Sequence, residues 1–115
     1  MLFRSMKEGG TAIPAHPFRK SRPVEPKMLQ KCDIVEVING RNLPYENSFC
    51  IDWIRHNTLS KHGIGGSDAH TLPEIGQSVT LFSDNIYSSD DLIKALYSGS
   101  YMPHYMNSLV AAGAV

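Results

Sequence analysis

Short apolar runs alternate with helical segments along this chain, and that alternation limits the possible folds more than any other feature. Four runs are rich in β-branched or small apolar residues and stop at turn residues, which is typical of strands. Strand–helix–strand order at this spacing indicates βαβ units, so we predict an α/β fold with a mainly parallel sheet. The predicted strands are residues 11–15, 33–38, 64–66 and 77–82.

Helices are predicted in the intervals that these strands leave. Residues 26–31 form a short helix, and Pro44 suits the first turn of a longer helix that runs to about Asn57. A further helix follows Ser88, which can cap its N-terminus, and Gly99 suits the C-terminal exit.

Composition excludes several classes of protein. The 115 residues carry 11 basic and 11 acidic side chains, so the charge is balanced and a basic surface for nucleic acid is not expected. No run approaches the ~20 apolar residues of a membrane span. The first residues lack the apolar region of a signal peptide, so we predict a cytoplasmic protein. Cys32 and Cys50 show no metal-binding spacing and are interpreted as reduced core residues.

Polar residues follow three of the predicted strands. His16 comes directly after the first, Asn39 and Arg41 follow the second, and Asp68 and His70 follow the third. Active sites of parallel sheets form at the carboxyl ends of the strands. We therefore expect these side chains to meet along one edge of the sheet.

Asp68 and His70 are two residues apart, so in extended backbone both side chains point the same way. Together with His16 they offer two imidazoles and a carboxylate, a common ligand set for Zn, Mn or Fe. A divalent cation held in this way activates water and neutralises charge on a phosphoryl oxygen. Spacing alone leaves a second interpretation open, in which His16 and Pro17 only form a turn.

Three segments together resemble the PHP family, the polymerase and histidinol phosphatase group of metal-dependent phosphoesterases. They are AHPFRK, IVEVINGRN and GGSDAHTLPEIGQSVTLF, in that order. The similarity is greatest to the TrpH-like branch with its PHP-associated C-terminal region, and it extends from about Met6 to Pro103. The resemblance implies a distorted β/α barrel with a metal cluster at the carboxyl ends of its strands.

The resemblance also implies roles for individual residues. His16, Asp68 and His70 match metal ligands of the family, and Arg19 lies where an arginine can bind a substrate phosphate. Four further residues match family positions that support the ligands or the loops: Glu36, Asn39, Arg41 and Asn47. Three other histidines match no family motif and are interpreted as helix-end, loop and tail residues: His56, His62 and His104.

One departure from the family changes the expected domain. PHP enzymes begin with an HxH motif and further ligands, whereas no HxH occurs in this sequence. Residues 1–115 are therefore predicted to be the C-terminal half of a PHP barrel, without the half that bears HxH. The first strand then becomes an unpaired edge. We expect a monomer of low stability, self-association, or pairing with a complementary N-terminal half.

The leading functional hypothesis is a segment of a phosphoesterase that uses Mn, Zn, Fe or Mg. It would hydrolyse small phosphate esters, including nucleotides and short oligonucleotides, by metal-activated water. The alternative is a catalytically incomplete module that binds metal or pairs with another chain. A third hypothesis, an Fe(II) oxygenase with two histidines and one carboxylate, fits the ligand types but not the βα pattern.

Overall fold

The computed structural model describes residues 7–57 and 61–106 of the chain. Over these residues the molecule is a small mixed α/β domain of short elements. Their order is α1 Pro26–Lys31, β1 Ile34–Asn39, α2 Pro44–Asn57, β2 His62–Gly66, a 3-10 helix Leu72–Glu74, β3 Ser78–Phe82, α3 Ser89–Ser98 and β4 Tyr101–Tyr105.

Strands β1 and β2 form the predicted parallel pair. Ile34 lies opposite His62 and Asn39 opposite Gly66, with an irregularity in the register after Glu36. His62 is the first residue of β2, so the prediction that it lies in a loop is wrong. Both strands end at the same edge, which places the residues after Asn39 and after Gly66 side by side.

Strands β3 and β4 pair in the antiparallel sense, which corrects the prediction of a mainly parallel sheet. Ser78 lies opposite Tyr105, and Phe82 lies opposite Tyr101. Strand β4 was not predicted from the sequence, because Pro103 cannot donate to a strand ladder and usually argues against a strand. His104, interpreted there as a tail residue, is part of β4.

The antiparallel ribbon is joined to the parallel pair through β2. The hydroxyl of Thr80 accepts a hydrogen bond from the N–H of Gly65 over 3.0 Å and donates to the carbonyl of Gly65 over 2.8 Å. Ser78 makes a second connection, because its hydroxyl donates to the carbonyl of Ile38 over 3.3 Å. The two pairs of strands therefore pack as one body.

The first predicted strand, residues 11–15, is not a strand in the structure. A single backbone bond links it to β1: the N–H of Glu36 donates to the carbonyl of Pro14 over 3.2 Å. Pro14 has no N–H with which to donate a hydrogen bond back to β1, so a continuous ladder does not develop. Residues 7–57 and 61–106 contain no closed barrel.

The helices begin and end close to the predicted residues. Ser88 caps α3 by accepting from the N–H of Asp91 over 3.0 Å, and Gly99 ends it with φ of 77°. Lys61 stabilises the C-terminal end of α1, because its ammonium donates to the carbonyls of Leu29 and Cys32. In the part of the chain that the structure describes, no helix is long and apolar enough to cross a lipid bilayer.

The core lies between β1 and the helices α1 and α2. Its centre is Leu29, Val35, Val37 and Cys50, each at most 3% exposed. Both cysteines are buried and free, as predicted. Three apolar residues of α2 pack on this centre, whereas Phe49 of the same helix is 58% exposed. Those three are Ile51, Trp53 and Ile54.

Candidate functional site

His16 lies in the loop that precedes α1 and has an unusual backbone. Its φ is 32°, in the left-handed region that non-glycine residues rarely adopt. The N–H of His16 donates to Oε2 of Glu36 over 2.7 Å, which ties this loop to β1. In the described ranges, Nδ1 of His16 is the buried side-chain nitrogen that has no hydrogen-bond partner. An unpaired buried nitrogen is costly unless something binds it.

Asp68 lies just beyond the end of β2 and shares this backbone feature. Its φ is 51°, and among the described non-glycine residues only Asp68 and His16 have positive φ. Strained backbone of this kind concentrates at functional sites. Oδ2 of Asp68 accepts from Arg19 over 3.0 Å and from Asn39 over 3.4 Å.

Arg19 is held by acceptors on both sides of its guanidinium. Nε donates to Oδ1 of Asn42 over 2.8 Å, and Nη2 donates to Oδ1 of Asn39 over 2.9 Å as well as to Asp68. Asn47 stabilises the chain at the end of β1, because its Oδ1 accepts from the N–H of Asn39 over 3.0 Å. The positive charge is therefore fixed in orientation beside Asp68.

These contacts keep Asp68 ionised. Burial raises the pKa of Asp68, but the hydrogen bonds from Arg19 and Asn39 outweigh it, and the pKa lies below its ordinary value. The positive charge of Arg19 lowers the pKa further. The carboxylate is thus an anionic oxygen donor at neutral pH.

His70 lies next to Asp68 but faces solvent, with 62% of its side chain exposed. Its Nδ1 is 2.9 Å from the carbonyl oxygen of Asp68 and 4.0 Å from Oδ1 of the same residue. A carbonyl only accepts, so this contact assigns a proton to Nδ1, and in the neutral ring the lone pair is then on Nε2. The N–H of His70 donates to Oε1 of Glu74 over 2.9 Å, and Glu74 pairs with Arg41 over 2.7 Å.

A comparison with protein families identifies the second half of this structure. Residues 45–101 match the family described as PHP-associated. This stretch is similar to the PHP-associated region. It begins in α2, contains Asp68 and His70, and ends at the first residue of β4. The resemblance stated from the sequence is confirmed, and the match is consistent with a C-terminal part of a PHP-domain protein. No curated protein and no solved structure matches the chain.

The loop of His16 and Arg19 precedes the matched region, and two hydrogen bonds join them. Oδ2 of Asp68 accepts from Arg19, and Oε2 of Glu46 accepts from the N–H of Lys20 over 2.7 Å. The His16 loop and the loop after β2 are therefore packed together. The packed loops do not, however, bring together a complete set of metal ligands. Over residues 7–57 and 61–106, no three His, Cys, Asp or Glu side chains form a group that could hold a metal ion.

Two supporting residues were missed in the sequence. Asn42 holds Arg19, and the only signal for it was the asparagine-rich stretch after β1. Glu46 is 5% exposed and also accepts from the N–H of Leu43 over 2.8 Å. Glu46 is the third residue of α2, where a glutamate commonly bonds back to the residue before the helix. That pattern could have identified it.

Proposed function

We propose that this chain supplies part of the active site of a PHP-type metal-dependent phosphoesterase. On this proposal His16, Asp68 and His70 donate to a divalent metal once donors from outside the described residues complete the site, and Arg19 binds the substrate phosphate. The observation that carries the proposal is the buried, unpartnered Nδ1 of His16. His16 belongs to the loop that also carries Arg19. Glu36 links this loop to Asn39, and Arg19 of the loop pairs with Asp68.

The donor chemistry supports this assignment. Imidazole nitrogen and carboxylate oxygen suit Mn, Zn or Fe, and the carboxylate also suits Mg. Histidines that bind metals usually donate their second N–H to a carbonyl or a carboxylate. His70 has this arrangement, because Nδ1 contacts the carbonyl of Asp68 and Nε2 of the neutral ring is then the nitrogen that can bind a metal.

The chemistry divides between the metal and this chain's own residues. When bound, a divalent metal activates water and neutralises charge on the phosphoryl group. Asn39 and Asn42 hold the guanidinium of Arg19 rigid, so it can meet phosphate oxygens without losing further freedom. The low pKa of Asp68 keeps its carboxylate charged for binding.

A groove on the same loop supports a small ester as the substrate. It measures about 600 Å³ and is lined in part by the rings of Phe18, Tyr45 and Phe49. Lys20 lies 5.5 Å from the ring centre of Tyr45 at this groove. The groove is lined by Lys20 and not by Arg19, and on this proposal its aromatic walls bind a planar leaving group such as a nucleobase. The remaining metal donors, on this proposal, come from outside the described residues or from another chain.

Hydrolysis of p-nitrophenyl phosphate with added Mn²⁺ tests the proposal. Asp68→Asn removes the anionic donor and keeps the shape, so turnover should fall by at least about 100-fold. Asp84→Asn is the matched control, because Asp84 is an exposed carboxylate just beyond β3 and does not line the groove. Turnover that is the same in the wild type and in Asp68→Asn would refute the assignment.

The absence of a complete ligand group in the described residues favours one alternative, a catalytically incomplete module that pairs with another chain. Metal analysis of the purified protein separates the two. Stoichiometric metal with turnover supports the enzyme. Far less than one metal per chain, without turnover, supports the pairing module.

A further inference from the structure

We propose that Glu36 is a positioning residue: its carboxylate holds the backbone of His16 and, through Asn39, sets the places of Arg19 and Asp68. This inference rests on the function proposed above and assigns a role to a residue on β1 that is not itself one of the proposed ligands. Glu36 is half-buried, at the point where the register of β1 and β2 shifts.

One oxygen of Glu36 accepts hydrogen bonds from both His16 and Asn39. Oε2 accepts from the N–H of His16 over 2.7 Å and from Nδ2 of Asn39 over 2.9 Å. His16 needs such a partner, because a left-handed backbone persists only where surrounding contacts hold it. Two N–H donors on one oxygen also mean that Oε2 supports the site and does not face a metal.

The contact with Asn39 fixes which way that amide points. Nδ2 faces the carboxylates of Glu36 and Asp68, so Oδ1 faces the opposite way and accepts from Arg19 over 2.9 Å. The same Oδ1 accepts from the N–H of Arg41 over 2.8 Å. Without an acceptor at position 36, the amide could turn over and present N–H groups to the guanidinium. The carboxylate therefore orients Arg19 through an intermediate residue.

Gly66 leaves room for this carboxylate. A Cβ atom at position 66 would overlap Oε1 of Glu36. Gly66→Ala therefore pushes the carboxylate out of place without changing its charge or removing it. This variant disturbs Glu36 by a route independent of substitution at position 36.

The test uses Glu36→Ala, Glu36→Gln and Gly66→Ala, with Glu25→Gln as control. Glu25 is exposed and its side chain makes no capping bond at α1. The first readout is the NMR signal of the His16 amide without metal, which a carboxylate acceptor shifts downfield. Glu36→Ala and Gly66→Ala should lose this shift. Glu36→Gln keeps an oxygen that can accept both bonds and should retain most of it.

The second readout is Mn²⁺ affinity. Loss of a residue that orients metal ligands lowers affinity about 10- to 100-fold, so Glu36→Ala should fall in that range while Glu25→Gln matches the wild type. An unchanged His16 amide signal in both Glu36→Ala and Gly66→Ala would overturn the positioning role. Absence of Mn²⁺ binding in the wild type would overturn the proposed function alone, and the amide signal would still decide the role of Glu36.

Discussion

Nη2 of Arg19 donates to Oδ2 of Asp68 over 3.0 Å, with 18% and 27% of the two side chains exposed. The pair joins the loop before α1 to the loop after β2, two segments 49 residues apart in the sequence. Because Asn39 and Asn42 hold the same guanidinium, the pair belongs to a network that spans both loops. The candidate site is therefore one cooperative unit.

Arg19→Ala should destabilise the protein by about 1–3 kcal/mol, because it leaves polar acceptors and a carboxylate without their donor. Arg19→Lys should recover only part of this loss, since an ammonium cannot reproduce the planar fork. Urea denaturation measures both. Arg22→Ala, at an exposed arginine of the same loop, is the control. Equal stability of the Arg19→Ala and Arg22→Ala variants would contradict the network.

Glu46 should make stability depend on pH in the acid range. The N–H groups of Lys20 and Leu43 hold the pKa of Glu46 below its ordinary value. A lowered native pKa contributes stability above the unfolded pKa, about 4.3 for glutamate, and loses it as the pH falls through the native value. Glu46→Gln should therefore be less stable at pH 7, and its deficit should narrow on acidification. Melting temperatures from pH 7 to about pH 3 measure this, and a constant deficit would disprove it.

The two ends of α3 should respond differently to alanine. Ser88→Ala removes the capping oxygen and should cost about 1 kcal/mol, whereas Ser89→Ala, one residue inside the helix, should cost much less. Gly99→Ala should cost more than Ser88→Ala, because φ is 77° and the new Cβ would lie 2.5 Å from Cε1 of His62. Chemical denaturation ranks the three variants. A Gly99→Ala variant as stable as the wild type would show that α3 ends differently.

Both thiols should be unreactive in the native protein. Burial raises the pKa of Cys50 to about 12 and also raises the pKa of Cys32. At pH 8 the thiolate fraction of Cys50 is then about one in ten thousand. Ellman's reagent should detect negligible thiol before unfolding and two thiols per chain in denaturant. Rapid reaction of either thiol in the native state would place it at the surface.

Local signals predicted most of the regular structure. Pro44 begins α2 and Ser88 caps α3 as expected, because capping and proline geometry act within a few residues. The antiparallel partner of β3 was not predictable in this way. Its strand contains Pro103, and its pairing depends on packing of the ribbon against β2, which no local pattern encodes.

The sequence predicted which residue types form the candidate site better than it predicted how their side chains are arranged. The strand-end rule correctly placed the residues after Asn39 beside those after Gly66, since β1 and β2 are parallel and end at one edge. The loop of His16 follows no strand, and it contacts Asp68 through Arg19. The exposure of His70 could not be read from its spacing to Asp68, because Asp68 has a left-handed backbone. The rule that residues i and i+2 point the same way holds only in extended chain.

Mn²⁺ titration followed by electron paramagnetic resonance tests the central claim most directly. His16→Ala removes the buried unpaired nitrogen, and His56→Ala is the matched control, because His56 is exposed and contacts the carbonyl of Asp52 on α2. We predict that the wild type and His56→Ala bind Mn²⁺ equally and that His16→Ala binds at least about 10-fold more weakly. Equal affinity of all three proteins would contradict a metal site at His16.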